Sequence, residues 1–184
     1  KTLLEAMAQV AEQHDDLRLL LIGDGPQRKE LEKYATELGL EEAVIFTGLV
    51  PFEEIPAHLK AADIFFFASI SETQGLVTME AMAADLPVVA VDATGTRDEV
   101  DDGMQGLLTE NDSTALARAL QRVLDDQELY DRLKNAAQEK ARSFDMMLQA
   151  QKMVGVYEQA IEDKKADLYV KVDEQRVKQN VKNR

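Results

Sequence analysis

The chain has 184 residues, the span of one α/β domain, with 45% hydrophobic and 30% charged residues; its longest apolar runs, such as that at 63–68, are far too short to cross a bilayer. Cysteine is absent, which excludes disulfides, thiolate metal sites and cysteine nucleophiles and makes a cytoplasmic address the default reading. The net charge is -14, with seven Lys/Arg against three Asp/Glu in 164–184 and so -18 over 1–163; such an acidic body would be repelled by nucleic acid, which is not expected as a partner.

The pattern Leu3-Leu4-Glu5-Ala6-Met7-Ala8-Gln9-Val10 predicts a helix over 3–14 that starts without an N-cap or an initiator Met, and the chain's beginning is read as an internal cut. Five β-rich runs follow at Leu17–Ile22, Ala43–Thr47, Asp63–Ala68, Pro87–Val91 and Gly106–Thr109. They are continuous rather than alternating, as strands buried on both faces are, and helical patterns at 27–38, 53–61, 75–84 and 96–101 separate them. This predicts a Rossmann-like, doubly wound parallel sheet of about five to six strands.

Three further helices are expected at about 113–125, 127–142 and 145–163, more than a bare sheet needs, and the last has a use in crossing onto a neighbouring domain or in packing on the sheet. The expected organisation is one domain over 1–163 and a basic, frayed or disordered tail over 164–184. His14 and His58 have no second histidine or cysteine nearby and are read as ordinary surface or boundary residues.

Ligands of open parallel sheets bind outside the carboxyl ends of the strands, so the loops after each strand are the ones to inspect. Gly23-Asp24-Gly25-Pro26 reads as a tight strand-to-helix turn, because it lacks both the third glycine of a dinucleotide loop and the Lys-Ser/Thr of a P-loop. Gly48-Leu49-Val50-Pro51 leaves backbone groups open at the cleft.

The segment Ser69 to Ala83 carries most information. Ser71 or Thr73 is expected to cap a helix whose first turn holds Gln74, Gly75, Leu76 and Val77, offering free amides and the helix dipole to a phosphate. Glu72 precedes that start and Glu80 follows it, a spacing of eight that would return to nearly the same face if the helix were continuous. Carboxylates cannot favour a bare pyrophosphate, but they accept paired hydroxyls well, and hydroxyls on both sides of a pyrophosphate describe a nucleotide sugar. After the fourth strand, Arg97 is read equally as a phosphate cation or as a partner of Asp98 or Asp101.

The runs Leu20–Pro26, Val44–Gly48, Ala62-Asp63, Glu72 to Glu80, Pro87–Ala90 and Gly103 to Leu108 resemble the C-terminal domain of GT-B-fold retaining glycosyltransferases of family four. The resemblance covers residues 1 to about 160, and Thr73-Gln74-Gly75-Leu76 is similar to glycolipid-forming bacterial members such as diacylglycerol glucosyltransferases. It implies that Glu72 contacts donor-sugar hydroxyls, that the backbone of Gln74, Gly75, Leu76 and Val77 holds the diphosphate, that Glu80 binds the ribose, and that Leu49 and Val50 meet the uracil. Three departures are visible: the family's diphosphate-clamping Arg and Lys lie upstream of Lys1, Asp85 stands where the family has Gly, and Thr94-Gly95-Thr96-Arg97-Asp98 replaces two glycines and a Glu.

The expectation is a donor-binding domain that transfers a hexose, glucose foremost, from a UDP-sugar with retention, to an acceptor held by an N-terminal domain outside this sequence. No cofactor or metal is expected, and no residue is named as nucleophile. A membrane-lipid acceptor and peripheral membrane association of the full-length protein stay open, and the chain alone is expected to be inactive. The alternatives are a sugar-nucleotide epimerase or hydrolase, which would need a general base in the cleft, and a non-catalytic partner subunit. A nicotinamide-binding domain is a further alternative, for which Gly23-Asp24-Gly25 falls short.

Overall fold

A computed structural model describes residues 1–166, in which two units are treated separately, one over Lys1–Ser143 and one beginning at Phe144. The first contains α1 (Thr2–Ala11), β1 (Leu19–Ile22), α2 (Arg28–Glu37), β2 (Val44–Gly48), a 3-10 turn at Phe52–Glu54 running into α3 (Ile55–Lys60), β3 (Phe65–Phe67), α4 (Leu76–Ala83), β4 (Val88–Val91), α5 (Thr94–Glu99), β5 (Gly106–Thr109), α6 (Ser113–Asp125) and α7 (Gln127–Ser143). Among the described residues the five strands pair in parallel, as expected of strands alternating with helices, and one isolated antiparallel bridge joins Gly23 to Gly48.

The five strands form two ladders among the described residues, β1 with β2 and β3-β4-β5, where a single sheet was expected. The division falls at β3, which pairs through three residues only, Phe65 to Phe67 against Val88 to Ala90. Leu17 and Phe66 nevertheless pack against both the cluster around β1 and β2 and that around β4 and β5, so the two ladders share core.

β4 shows why the order of elements becomes a layered domain. Val88 to Val91 are all at most 2% exposed. Val89 and Val91 join Ala6 and Val10 of α1 and Leu116 and Leu120 of α6, whereas Val88 and Ala90 join Met82 of α4 and Ala137 of α7. Alternate side chains thus enter opposite helical layers, each large one contributing about 1.5–3 kcal/mol by leaving water. That burial, with the pairing of β3 on β4, fixes the carboxyl ends of β3 and β4 as platforms for the loops after them.

The helix after α7, α8 (Met146–Lys165), starts on Asp145, whose carboxylate accepts from the amides of Met147 and Leu148. It extends two residues past the expected domain limit at 163; the rest of the expected tail, from 167, lies outside the described residues. No helix among the described residues is long and apolar enough to cross a membrane.

Candidate functional site

The loop between β3 and α4 is organised by one side chain. Glu72 Oε1 accepts hydrogen bonds from the amides of Thr73 at 3.0 Å, Gln74 at 3.2 Å and Gly75 at 3.2 Å. The Gln74 amide, opposed by desolvation and aided by the amides of Gly75 and Thr73, holds this carboxyl below its ordinary range and hence charged at neutral pH. A cluster of convergent backbone amides that already holds one anionic oxygen is chemically an anion receptor.

The cap differs from the expectation. α4 begins at Leu76 on an N-cap Gly75 in the left-handed region (φ 64°), and no side chain caps it, so neither Ser71 nor Thr73 plays that part. Gln74 and Gly75 therefore precede the helix, and their amides, expected to be open, are taken by Glu72. Leu76 and Val77 do form the first turn, and both side chains are exposed.

The loop is locked from behind by α5. The Gly95 amide donates to the Glu72 carbonyl at 3.1 Å, and a Cβ on Gly95 would lie 2.7 Å from that same oxygen. A Cβ on Gly75 would in turn meet the Gly95 carbonyl and the Glu99 side chain. The close approach of two glycine backbones is thus what brings the β3–α4 and β4–α5 loops together. At this junction the hydroxyls of Thr78 and Thr96, both fully buried, and Glu99 Oε2 have no hydrogen-bond partner among the described residues.

Among the described residues Arg97 makes no close ion pair with Asp98 or Asp101. Its Nε donates to Asp92 Oδ1 at 2.6 Å, while Asp101 pairs with Lys140 at 3.2 Å. The hydrogen bond from Arg97 holds the Asp92 carboxyl below its ordinary range. Arg97, in α5, keeps a side chain that is 61% exposed but already engaged by Asp92, the residue that follows β4.

Glu80 is exposed on α4 and forms no ion pair among the described residues, leaving its carboxylate available. At the end of β2, Gly48 adopts φ 73°, Leu49 projects with 83% exposure and Val50 is half-buried. A cation that the sequence reading passed over sits here. Arg28 Nη2 donates to the Phe46 carbonyl at 3.2 Å, and Nη1 lies 2.7 Å from where a Cβ of Gly48 would be. In the sequence it shows only as half of an i,i+4 pair with Glu32 on a surface helix, which is also formed, at 2.7 Å. Phe52, 80% exposed in the 3-10 turn, was likewise not singled out. The histidines stay outside the site: His14 meets Asp125 at 3.3 Å and His58 the Glu54 carbonyl at 3.0 Å.

The chain is similar to known proteins in sequence and in fold. The sequence profile described as Glycosyl transferases group 1 matches residues 1–140. The chain is 40% identical over 124 residues to a 2-deoxystreptamine glucosyltransferase of Streptomyces kanamyceticus, covering 67% of this chain and 32% of that protein. It is 38% identical over 108 residues to an alpha-monoglucosyldiacylglycerol synthase of Streptococcus pneumoniae, covering 59% of this chain and 24% of that protein. Among solved structures, Anabaena HepE in complex with UDP-glucose superposes with a TM-score of 0.74 at 31% identity, covering 86% of this chain and 44% of that one. The chain therefore spans less than half the length of each of these relatives.

Proposed function

The chain belongs to the glycosyl transferases group 1 family, and from that premise we propose that it is the donor-binding domain of a glycosyltransferase that uses a UDP-sugar, UDP-glucose foremost. The observation that carries the reading is the amide cluster of Thr73, Gln74 and Gly75 in the loop after β3, which holds an anionic oxygen and leads into a helix with Glu80 little more than one turn along. The similar HepE, solved with UDP-glucose, supports the choice of donor.

In this reading the diphosphate lies on the amides of residues 74–77, Glu80 accepts the ribose hydroxyls, the uracil lies at Leu49 and Val50, and Glu72 accepts hydroxyls of the transferred sugar. The chain's contribution is to orient the donor and to stabilise negative charge as the diphosphate leaves, the contribution that usually dominates such catalysis. Arg97, held by Asp92, serves the phosphates only if that pair opens. Transfer proceeds with retention and without a resident metal, to an acceptor bound by a further domain. The similarity to a glycolipid synthase makes a lipid acceptor the first to assay on the full-length protein.

Isothermal titration of the 184-residue chain with UDP and UDP-glucose tests the reading; saturable heat is expected from both. Absence of heat from either at millimolar ligand, with the chain folded, sinks it. An epimerase or hydrolase would call for a general base here, and neither histidine is placed to serve.

A further inference from the structure

We propose that the Glu72 carboxylate is an internal stand-in for the donor's phosphate: it covers the loop amides in the unliganded chain and gives way when donor binds, so that the site prefers intact donor to its diphosphate product. The inference rests on the donor-site reading above and adds to it a competition within the site.

Three amides converge on the single oxygen Glu72 Oε1 at 3.0 to 3.2 Å. Two of them, those of Gln74 and Gly75, belong to the set that would hold the diphosphate. Two anions cannot share them, because like charges a few ångströms apart in a partly desolvated loop repel strongly. Either the carboxylate or the phosphate has the amides.

The exchange needs side-chain rotation only. The Glu72 main chain is pinned by the Gly95 amide at 3.1 Å, and Gly75 lies so close to Gly95 that a Cβ on it would collide with the Gly95 carbonyl. A displaced carboxylate has lost three charge-assisted hydrogen bonds and needs new donors. An intact donor supplies them from the hydroxyls of its transferred sugar, which UDP lacks; the ribose hydroxyls that UDP keeps go to Glu80 in this reading. UDP therefore bears the whole cost of uncovering the amides, and after transfer the returning carboxylate competes it off.

The test compares UDP and UDP-glucose titrations of the wild-type chain, Glu72→Ala and the isosteric, uncharged Glu72→Gln. A site open only part of the time binds more weakly in proportion to its closed fraction, so Glu72→Ala is expected to bind UDP about tenfold more tightly than wild type. UDP-glucose gains less or loses, narrowing the preference for donor over product, and Glu72→Gln moves the same way. If wild type binds UDP and both folded variants bind it equally or more weakly, the stand-in role is overturned while the donor site stands. If no protein binds either ligand, the donor site itself is wrong and this inference falls with it.

Discussion

The Gln138 side-chain amide donates a 2.8 Å hydrogen bond to the Asp85 carboxylate, joining α7 to the turn that ends α4. Asp85 has φ 67° and is the one non-glycine residue with positive φ among the described residues. The Asp85 amide donates to the Met82 carbonyl at 3.0 Å and the Leu86 amide to the Ala81 carbonyl at 3.1 Å, the paired bonds of a Schellman C-cap, with buried Leu86 packed against Ala81. The family's glycine fits this position without strain; here an aspartate fits it with a tether.

Asp85→Gly is therefore expected to change unfolding free energy by less than about 1 kcal/mol, relief of left-handed strain offsetting the lost hydrogen bond. Asp85→Val, β-branched at positive φ, should cost about 1–3 kcal/mol. Urea denaturation of a double-mutant cycle checks the tether. Gln138→Ala should cost about 0.5–1.5 kcal/mol in the wild type and close to nothing beside Asp85→Gly.

How much of this was legible in sequence depends on the range of the interactions concerned. α6 at 113–125 and β5 at 106–109 fall where periodicity places them, because each is fixed by its own pattern of buried residues and, for α6, by the Asp112 cap. The loop after β3 was singled out as the candidate site from Gly75, Glu72 and Glu80. Its internal bonding was not, since the local pattern offered Ser71 and Thr73 as caps, while the bond of the Gly95 amide to the Glu72 carbonyl joins loops far apart in sequence. The partner of Arg97 and the position of Arg28 over Gly48 escaped for the same reason: the geometry of the chain around them is set by tertiary packing, and local spacing offered nearer acids.

Gly75→Ala tests the locked loop. The added Cβ would collide with the Gly95 carbonyl and approach Glu99 Cγ to 2.7 Å, at a residue with φ 64°. Backbone on one side and left-handed geometry on the other leave no cheap relaxation, and a loss of about 1–3 kcal/mol in stability is expected. UDP affinity should fall by at least about tenfold, since a displacement of 1.4 kcal/mol in binding already does that. Gly25→Ala is the matched control: nothing lies within 4 Å of its Cβ and its φ is not positive, so melting temperature and binding should both stay near wild type.

Glu80→Ala separates binding from folding. Glu80 is exposed and has no ion-pair partner among the described residues, so removing it should leave the melting temperature of the free chain nearly unchanged. As acceptor for paired ribose hydroxyls it makes charge-assisted bonds, and its loss should weaken UDP by about ten- to a hundredfold. Differential scanning fluorimetry with and without UDP reads both at once. A variant stabilised by UDP as fully as wild type would remove Glu80 from the site.

The Asp92–Arg97 pair gives a pH dependence whose sign is fixed by the structure. Asp92 Oδ1 accepts from Arg97 Nε at 2.6 Å, and that bond holds the folded carboxyl below its ordinary value of 3.8. The unfolded chain then binds more protons than the folded one in this window, so the pair's contribution to stability is present above about pH 4 and is lost as pH falls through the lowered folded value. Asp92→Asn should accordingly melt slightly below wild type at pH 7, with the gap closing toward pH 3. Glu30, bonded by Lys1, and Glu72, bonded by the Gln74 amide first, are lowered too, so wild type alone would show a mixture, whereas the difference between the two proteins isolates Asp92. Both partners are more than a third exposed, which keeps the effect small and sensitive to salt, and about 1 M NaCl should erase most of it at pH 7. A gap that widens on acidification would mean that Asp92 is destabilised as an anion in the folded chain, and the pair would have to be redrawn with Arg97 freed for the phosphates.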